Sequence, residues 1–428
     1  MMQIRPTEHP PDQPANPFAR LRTVAAIVGL YAVALLAWLV IGEPHPAGRW
    51  FGVHLFTLGI VTNLILALSG HFARTLTHQG GTASRWQPLI VNVGILAVLV
   101  GIPSDRSWIV AAGATILTVE VMRSYLDLRR YRTRALAGRF SWIVRSYERA
   151  HGAFVHGAIL GLLVGTGIVS GPWWISARTA HLHVNVLGWA GITLLATVVF
   201  FGPTMLRTRI RPGAEVRARR ALRWGATGLT VGVLALFGTG VGGRWGLVLR
   251  LAAAAGLLVY AWAVVEVCLP VIAAAAAARP SSARPALITA SSWFVAIAFL
   301  DVVVVATAGW RYLDALGVAM LAGVLFQTIA ASLGYLAPLL LRSDVHARAD
   351  RSERIDKHGT PRAAVWNLGV ALATVAAAAG GQQGEAWTIA ARMGWGLMLT
   401  AVVWLGVAAL LPHGRRNGAG DASITSRR

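Results

Sequence analysis

The sequence predicts an all-α, polytopic membrane helix bundle, and three observations carry that prediction. Of 428 residues, 56% are hydrophobic and only 13% are charged, about half the charged share of a soluble domain. The apolar residues fall in blocks of about 20, the length at which a helix crosses a hydrocarbon core of about 30 Å. The arginines sit mainly between those blocks, so the formal charge of +22 reads as membrane topology and not as nucleic-acid binding. The single cysteine, Cys268, excludes an intrachain disulfide and any cysteine-ligated cluster.

The blocks give about twelve transmembrane helices, near 21–42, 51–73, 87–102, 107–128, 152–171, 180–202, 222–241, 246–275, 287–309, 313–341, 363–380 and 389–411. Arginine-rich loops follow the even-numbered spans: RRYRTRALAGRFSWIVRSYER, RTRIRPGAEVRARR, RPSSARP and RSDVHARADRSERIDKHGTPR. The opposite loops, GEPHPAGR, PSDRS, GPWWISAR and GQQGEA, are short and poor in arginine. Both termini are therefore expected in the cytoplasm, with polar tails at 1–20 and 412–428 flanking a single transmembrane domain, 21–411. The first block is of spanning length, and no cleavable signal precedes it. The expected location is a bacterial inner membrane, with Trp173 and Trp174 as interfacial anchors.

With orientation set, each histidine acquires a depth. His54, His181 and His183 fall in the outer leaflet, and His71, His151 and His156 in the inner one. His54 and His71 close the two ends of one apolar run, HLFTLGIVTNLILALSGH, 17 residues apart. That is about 25 Å at the helical rise, so one metal cannot bind both. Neutral imidazole is a common ligand of haem iron and copper, and facing helices of a bundle supply such pairs. His181 and His183 lie about 200° apart round their helix and point to different sides. The bland alternative is an interfacial histidine bonded to a backbone carbonyl. His9, His45, His78, His346, His358 and His413 fall in loops or tails and read as solvated surface.

Gly157, Gly161 and Gly165 recur along one face of the fifth span, which suits either small-residue helix packing or a flat macrocycle. Arg178 and Arg250, near outer helix ends, would pair with haem propionates or simply snorkel. Glu120, Glu266 and Asp301 lie inside apolar blocks, where carboxylates mark ion or proton paths. No phosphate loop, HExxH, Ser-His-Asp set or CxxC is present.

The segment HLHVNVLGWAGITLLATVVFFGPTMLRTR resembles the HxHxxxxGW-type helix of membrane proteins related to haem–copper oxidase subunit I and to the NnrS family. HLFTLGIVTNLILALSGHFARTL and FQTIAASLGYLAPLLL are closer to the membrane regions associated with bacterial copper-type nitrite reductases and multicopper oxidases. These segments form the second, sixth and tenth spans, each four helices from the next. That spacing is similar to the three pseudo-symmetric arcs of four helices in the oxidases. The resemblance implies a b-type haem, with copper as the alternative metal, held by His54 and one of His181 and His183. Neither an HH pair nor a His-Pro-Glu-Val-Tyr helix is present, so the oxidase copper centre has no counterpart.

The expected function is electron transfer, or nitric oxide- or copper-related redox chemistry, at an outer bis-histidine site. A second, inner site would use His71 with His156 or His151. Expected partners are the lipid bilayer, a quinone and an extracytoplasmic copper protein. The rival readings are a twelve-helix secondary transporter coupled through Glu266 or Asp301, and a non-catalytic subunit or assembly factor of a copper enzyme.

Overall fold

The structure, a computed structural model, describes residues 19–41, 48–79, 84–135, 138–340, 345–380 and 385–410. Among them there is no strand, and thirteen helices follow one another. They are α1 (Ala19–Ile41), α2 (Gly48–Thr77), α3 (Gln87–Gly101), α4 (Ser107–Arg134), α5 (Ser141–Gly165), α6 (Gly171–Met205) and α7 (Ala214–Val241), then α8 (Gly243–Ala277), α9 (Ala283–Thr307), α10 (Trp310–Pro338), α11 (Val345–Lys357), α12 (Gly359–Ala378) and α13 (Glu385–Leu410). The chain is thus an all-α bundle. Nine of the helices are long and apolar enough to cross a membrane: α1, α2, α4, α6 to α10 and α13. Helix α3 is apolar but shorter.

Every helix except α11 overlaps one expected span, and the disagreements have local causes. Helix α5 begins eleven residues before the span expected from 152, because its first turns are amphipathic. Trp142, Ile143, Val144 and Tyr147 are buried there while arginines break the hydropathy. Helix α6 begins at Gly171, whose φ of 53° lets the chain turn, with Pro172 in the first helical turn. Helix α11 is polar apart from buried Ile355 and was expected as loop. The tails, with His9 and His413, and the loop holding His45 lie outside the described residues.

Large apolar side chains face outward along the helices, among them Leu30, Val33, Leu96, Leu234, Val303 and Val403. Such a surface is stable against lipid. Exposed tryptophans at helix starts carry arginine over their rings, as in Arg85 on Trp86 at 5.1 Å and Arg244 on Trp245 at 5.4 Å. This suits a headgroup boundary, where an amphipathic ring and a cation are both solvated. The protein is therefore a multi-pass membrane protein.

The helices cluster in two compact units. The first contains residues up to Ala196 with Leu229–Ala253, and the second Thr197–Gly228 with residues from Ala254 onward. In the first, Ile95, Ile143, Tyr147 and Leu195 form the deepest core; in the second, Tyr260, Leu287, Phe294 and Val370 do.

A local pattern repeats three times with a period of four membrane helices. Within α2, α6 and α10 the runs Leu55–Thr62, Val184–Gly191 and Ala319–Phe326 are wound as π-helix, eight residues each. Runs of i→i+5 bonds this long are rare and cluster at functional sites. The fifth residue of each is glycine, and each glycine admits the preceding membrane helix. Gly59 lies against the Tyr31 ring, Gly188 against Ala153 and Gly323 against the Trp293 ring. Two later helices of each set, α3 and α4, α7 and α8, and α12 and α13, then cross glycine on glycine: Gly94 on Gly113, Gly228 on Gly256 and Gly369 on Gly394. Small residues let backbones approach this closely where lipid supplies no hydrophobic drive.

The residue after the π run is Asn63 in α2 and Gln327 in α10. Asn63 exchanges amide hydrogen bonds with Asn92 at 3.1 and 2.9 Å, and Gln327 does so with Asn367 at 3.1 and 2.9 Å. Asn367 Oδ1 also accepts from the Trp293 indole at 2.8 Å. Replacing Asn367 by Ala leaves buried amide and indole donors short of a partner. It is expected to destabilise the protein by about 1–3 kcal/mol in detergent-phase unfolding, and Gln327→Leu with Asn367→Leu by less than the sum of the single changes.

Candidate functional site

His54 is the last residue before the π run of α2, and His183 the last before that of α6. The His54 ring stacks on Trp50, centroids 4.2 Å apart, and its Nδ1 lies 2.8 Å from the Trp50 carbonyl oxygen. With Nδ1–H donated to that carbonyl, the proton is fixed on Nδ1 and Nε2 carries the lone pair. Metal-bound histidines are commonly oriented in this way.

His181 is held across helices. Its Nδ1 lies 2.8 Å from the carbonyl oxygen of Gly157 on α5, so its Nε2 is likewise left as the acceptor. A Cβ on Gly161 would stand 2.7 Å from His181 Cε1, and a Cβ on Gly157 would overlap the Asn185 amide. Asn185 Nδ2 in turn donates to the His181 carbonyl at 2.9 Å. Gly165 faces Ile102 and Val110. The glycine stripe of α5 is therefore the seat of His181 and Asn185 and leaves no flat slot for a macrocycle on that face.

His54 and His181 lie close enough for their ring charges to interact. His183 is buried, with Nδ1 2.8 Å from the Thr179 carbonyl oxygen of its own helix. It points elsewhere, as a two-residue offset requires. Among the described residues no three His, Cys, Asp or Glu side chains converge on a point that would hold a metal ion.

The histidines expected in the inner leaflet differ from one another, and His156, next to the Gly157 that holds His181, lies nearly level with that expected outer histidine instead of a layer below it. His151 is fully buried with both nitrogens engaged: Nδ1 lies 2.8 Å from the Tyr147 carbonyl and Nε2 3.1 Å from Ser124 Oγ on α4. It bridges two helices and has no lone pair to spare in this arrangement. His156 is exposed, its Nδ1 on the Gly152 carbonyl at 2.8 Å, and His71 is half-buried beside Phe72. Arg178 is exposed, lies over Trp174 at 5.9 Å and is within electrostatic reach of His181. Arg250 is half-buried, and its Nε is enclosed without a hydrogen-bond partner.

Sequence reading missed a buried polar thread. The His151 ring meets Trp189 edge-on at 4.8 Å, and Trp189 Nε1 donates to Thr62 Oγ1 at 3.2 Å. Trp189 and Thr62 both lie within π runs. It also missed Glu148, bonded to Arg132 at 2.5 Å between α5 and α4. Of the carboxylates it did name, Glu120 pairs with Arg123 at 2.8 Å and Asp301 is buried. Glu266 borders a groove between Pro203 and Pro270. No protein-family model matches the chain, and no curated protein is similar to it.

Proposed function

We propose that the protein is a haem-binding redox protein of a bacterial cell membrane, with His54 and His181 as the residues that would hold a b-type haem. One observation carries this reading: two imidazoles from α2 and α6 lie within electrostatic reach of each other, each with Nδ1 tied to a backbone carbonyl and Nε2 left to bind. A haem held by two histidines supplies one-electron transfer. The chain's part is to orient the rings, through Trp50 stacking on one side and the Gly157 carbonyl on the other. Arg250, with an enclosed and unpartnered Nε, and Arg178, near His181, are the cations to which propionates would bind. A bis-histidine haem needs only two protein ligands, which favours it over a copper centre built from three.

In the same proposal both termini are cytoplasmic, and a quinone and an extracytoplasmic copper protein are the redox partners. The inner histidines then serve the bundle and not a second haem, since His151 is spent on Ser124. The test is a reduced-minus-oxidised spectrum and metal analysis of the full chain, purified after expression with ample haem. Soret and α bands with about one haem per chain are expected. Colourless protein without bound iron or copper would overturn the reading. It would turn attention to transport, with uptake dependent on Glu266 or Asp301.

A further inference from the structure

The second unit contains a cavity that the proposed haem site does not use. It is a half-open pocket of about 50 Å³, several times the roughly 10–15 Å³ that one water needs. Its lining is mostly apolar, with Phe326 and Trp366 stacked at 4.3 Å and 12° as one wall. Arg362, in the first turn of α12, also lines it. This arginine is only 8% exposed, and its Nη1 is enclosed with no hydrogen-bond partner, while Nη2 donates to the Ile355 carbonyl at 3.1 Å.

The neighbouring polar groups leave that donor unanswered. Asp356 is within electrostatic reach of Arg362, but its Oδ1 accepts the Ser282 N–H at 2.7 Å and its Oδ2 stands 4.0 Å from Arg207. Gln327 borders the cavity with its amide already bonded to Thr289, Gly323 and Asn367. A buried guanidinium with an unpaired N–H is strongly unfavourable unless an acceptor arrives. The positive end of α12 adds to the same preference for an anion.

We propose that this cavity binds a carboxylate, its oxygens on Arg362 and its carbon chain against the Phe326 and Trp366 wall. Guanidinium matches a carboxylate in plane and spacing, whereas the apolar lining rejects a hydrated ion. A free short-chain acid and the head of a fatty acid drawn from the bilayer share this chemistry.

Calorimetric titration of the full chain in an uncharged detergent, with acetate, dodecanoate and dodecanol, tests the proposal. Binding of at least one acid is expected, and dodecanol should not bind. Dodecanoate binding at least about tenfold tighter than acetate would identify a lipid-derived acid, and equal binding a free one. Arg362→Gln should weaken the acid about tenfold or more. Ala331→Leu, which fills the cavity and keeps the guanidinium, should do the same and decides the matter if the arginine variant does not fold. Absence of acid binding, affinity unchanged in both variants, or dodecanol binding as well as dodecanoate would overturn it.

Discussion

Replacing His54 by Ala is expected to remove the haem signal, with haem per chain falling at least about tenfold against the unaltered protein. The physical basis is the tautomer and the partner together. Nδ1 of His54 is committed to Trp50, so Nε2 is the nitrogen that binds, and His181 presents the same nitrogen from α6. Losing either ring would leave the haem with one of its two protein anchors. His181→Ala should therefore match His54→Ala, whereas His183→Ala should keep its haem, because its two-residue offset from His181 turns that ring to another side of the helix. Pigment content and the α-band shape of the three variants, prepared side by side, decide the question. Unchanged haem in His54→Ala would remove that residue from the site, and loss only in His183→Ala would move the site to the other side of α6.

The all-α bundle was legible because hydrocarbon thickness sets a length that composition alone reveals; of the twelve expected spans, nine described helices are long and apolar enough to cross. Boundaries failed where a helix continues beyond the apolar window, as in α5, whose buried Tyr147 and paired Glu148 alternate with arginines that a hydropathy average rejects. The polar α11 failed for the same reason. The spacing of His181 and His183 showed that they diverge. It could not show which one turns toward α5, since that depends on a carbonyl 24 residues away in sequence. The glycine stripe was readable as an absence of side chains, but whether a helix, a macrocycle or an imidazole fills it depends on the partner.

The π runs left no mark of their own, because no residue type dictates i→i+5 bonding. Only their threefold recurrence at a shared glycine makes them recognisable. The recurrence has a functional reading. In α2 and α6 the residue entering the run is His54 or His183, and in α10 the same position is Val318. A repeated scaffold has thus kept its geometry while changing the chemistry it displays. Within the proposed function, the first copy supplies His54, the second begins three residues after His181, and the third serves the fold through Gln327 and Asn367.

Gly161→Ala is expected to disturb the His181 ring directly. Its Cβ would stand 2.7 Å from His181 Cε1, inside any real carbon–carbon contact, so the ring must tilt away from the Gly157 carbonyl. Overpacking of this kind costs about 1–3 kcal/mol, and a tilted ring also carries Nε2 away from its binding direction. Haem content should fall together with thermal stability. A double-mutant cycle separates this steric role from ordinary helix packing. If Gly161 exists to seat the imidazole, His181→Ala removes the clash, and the double variant should be more stable than additivity predicts by about 1–2 kcal/mol. It would still lack haem, because the ligand is gone. If the glycine serves only the approach of α5 to its neighbours, the two changes will add, and Gly161→Ala will lose stability without a selective loss of pigment. Stability and haem content responding separately would detach the stripe from the site. Their joint response, cancelled in stability alone by His181→Ala, is what a glycine seat for a metal-binding imidazole requires.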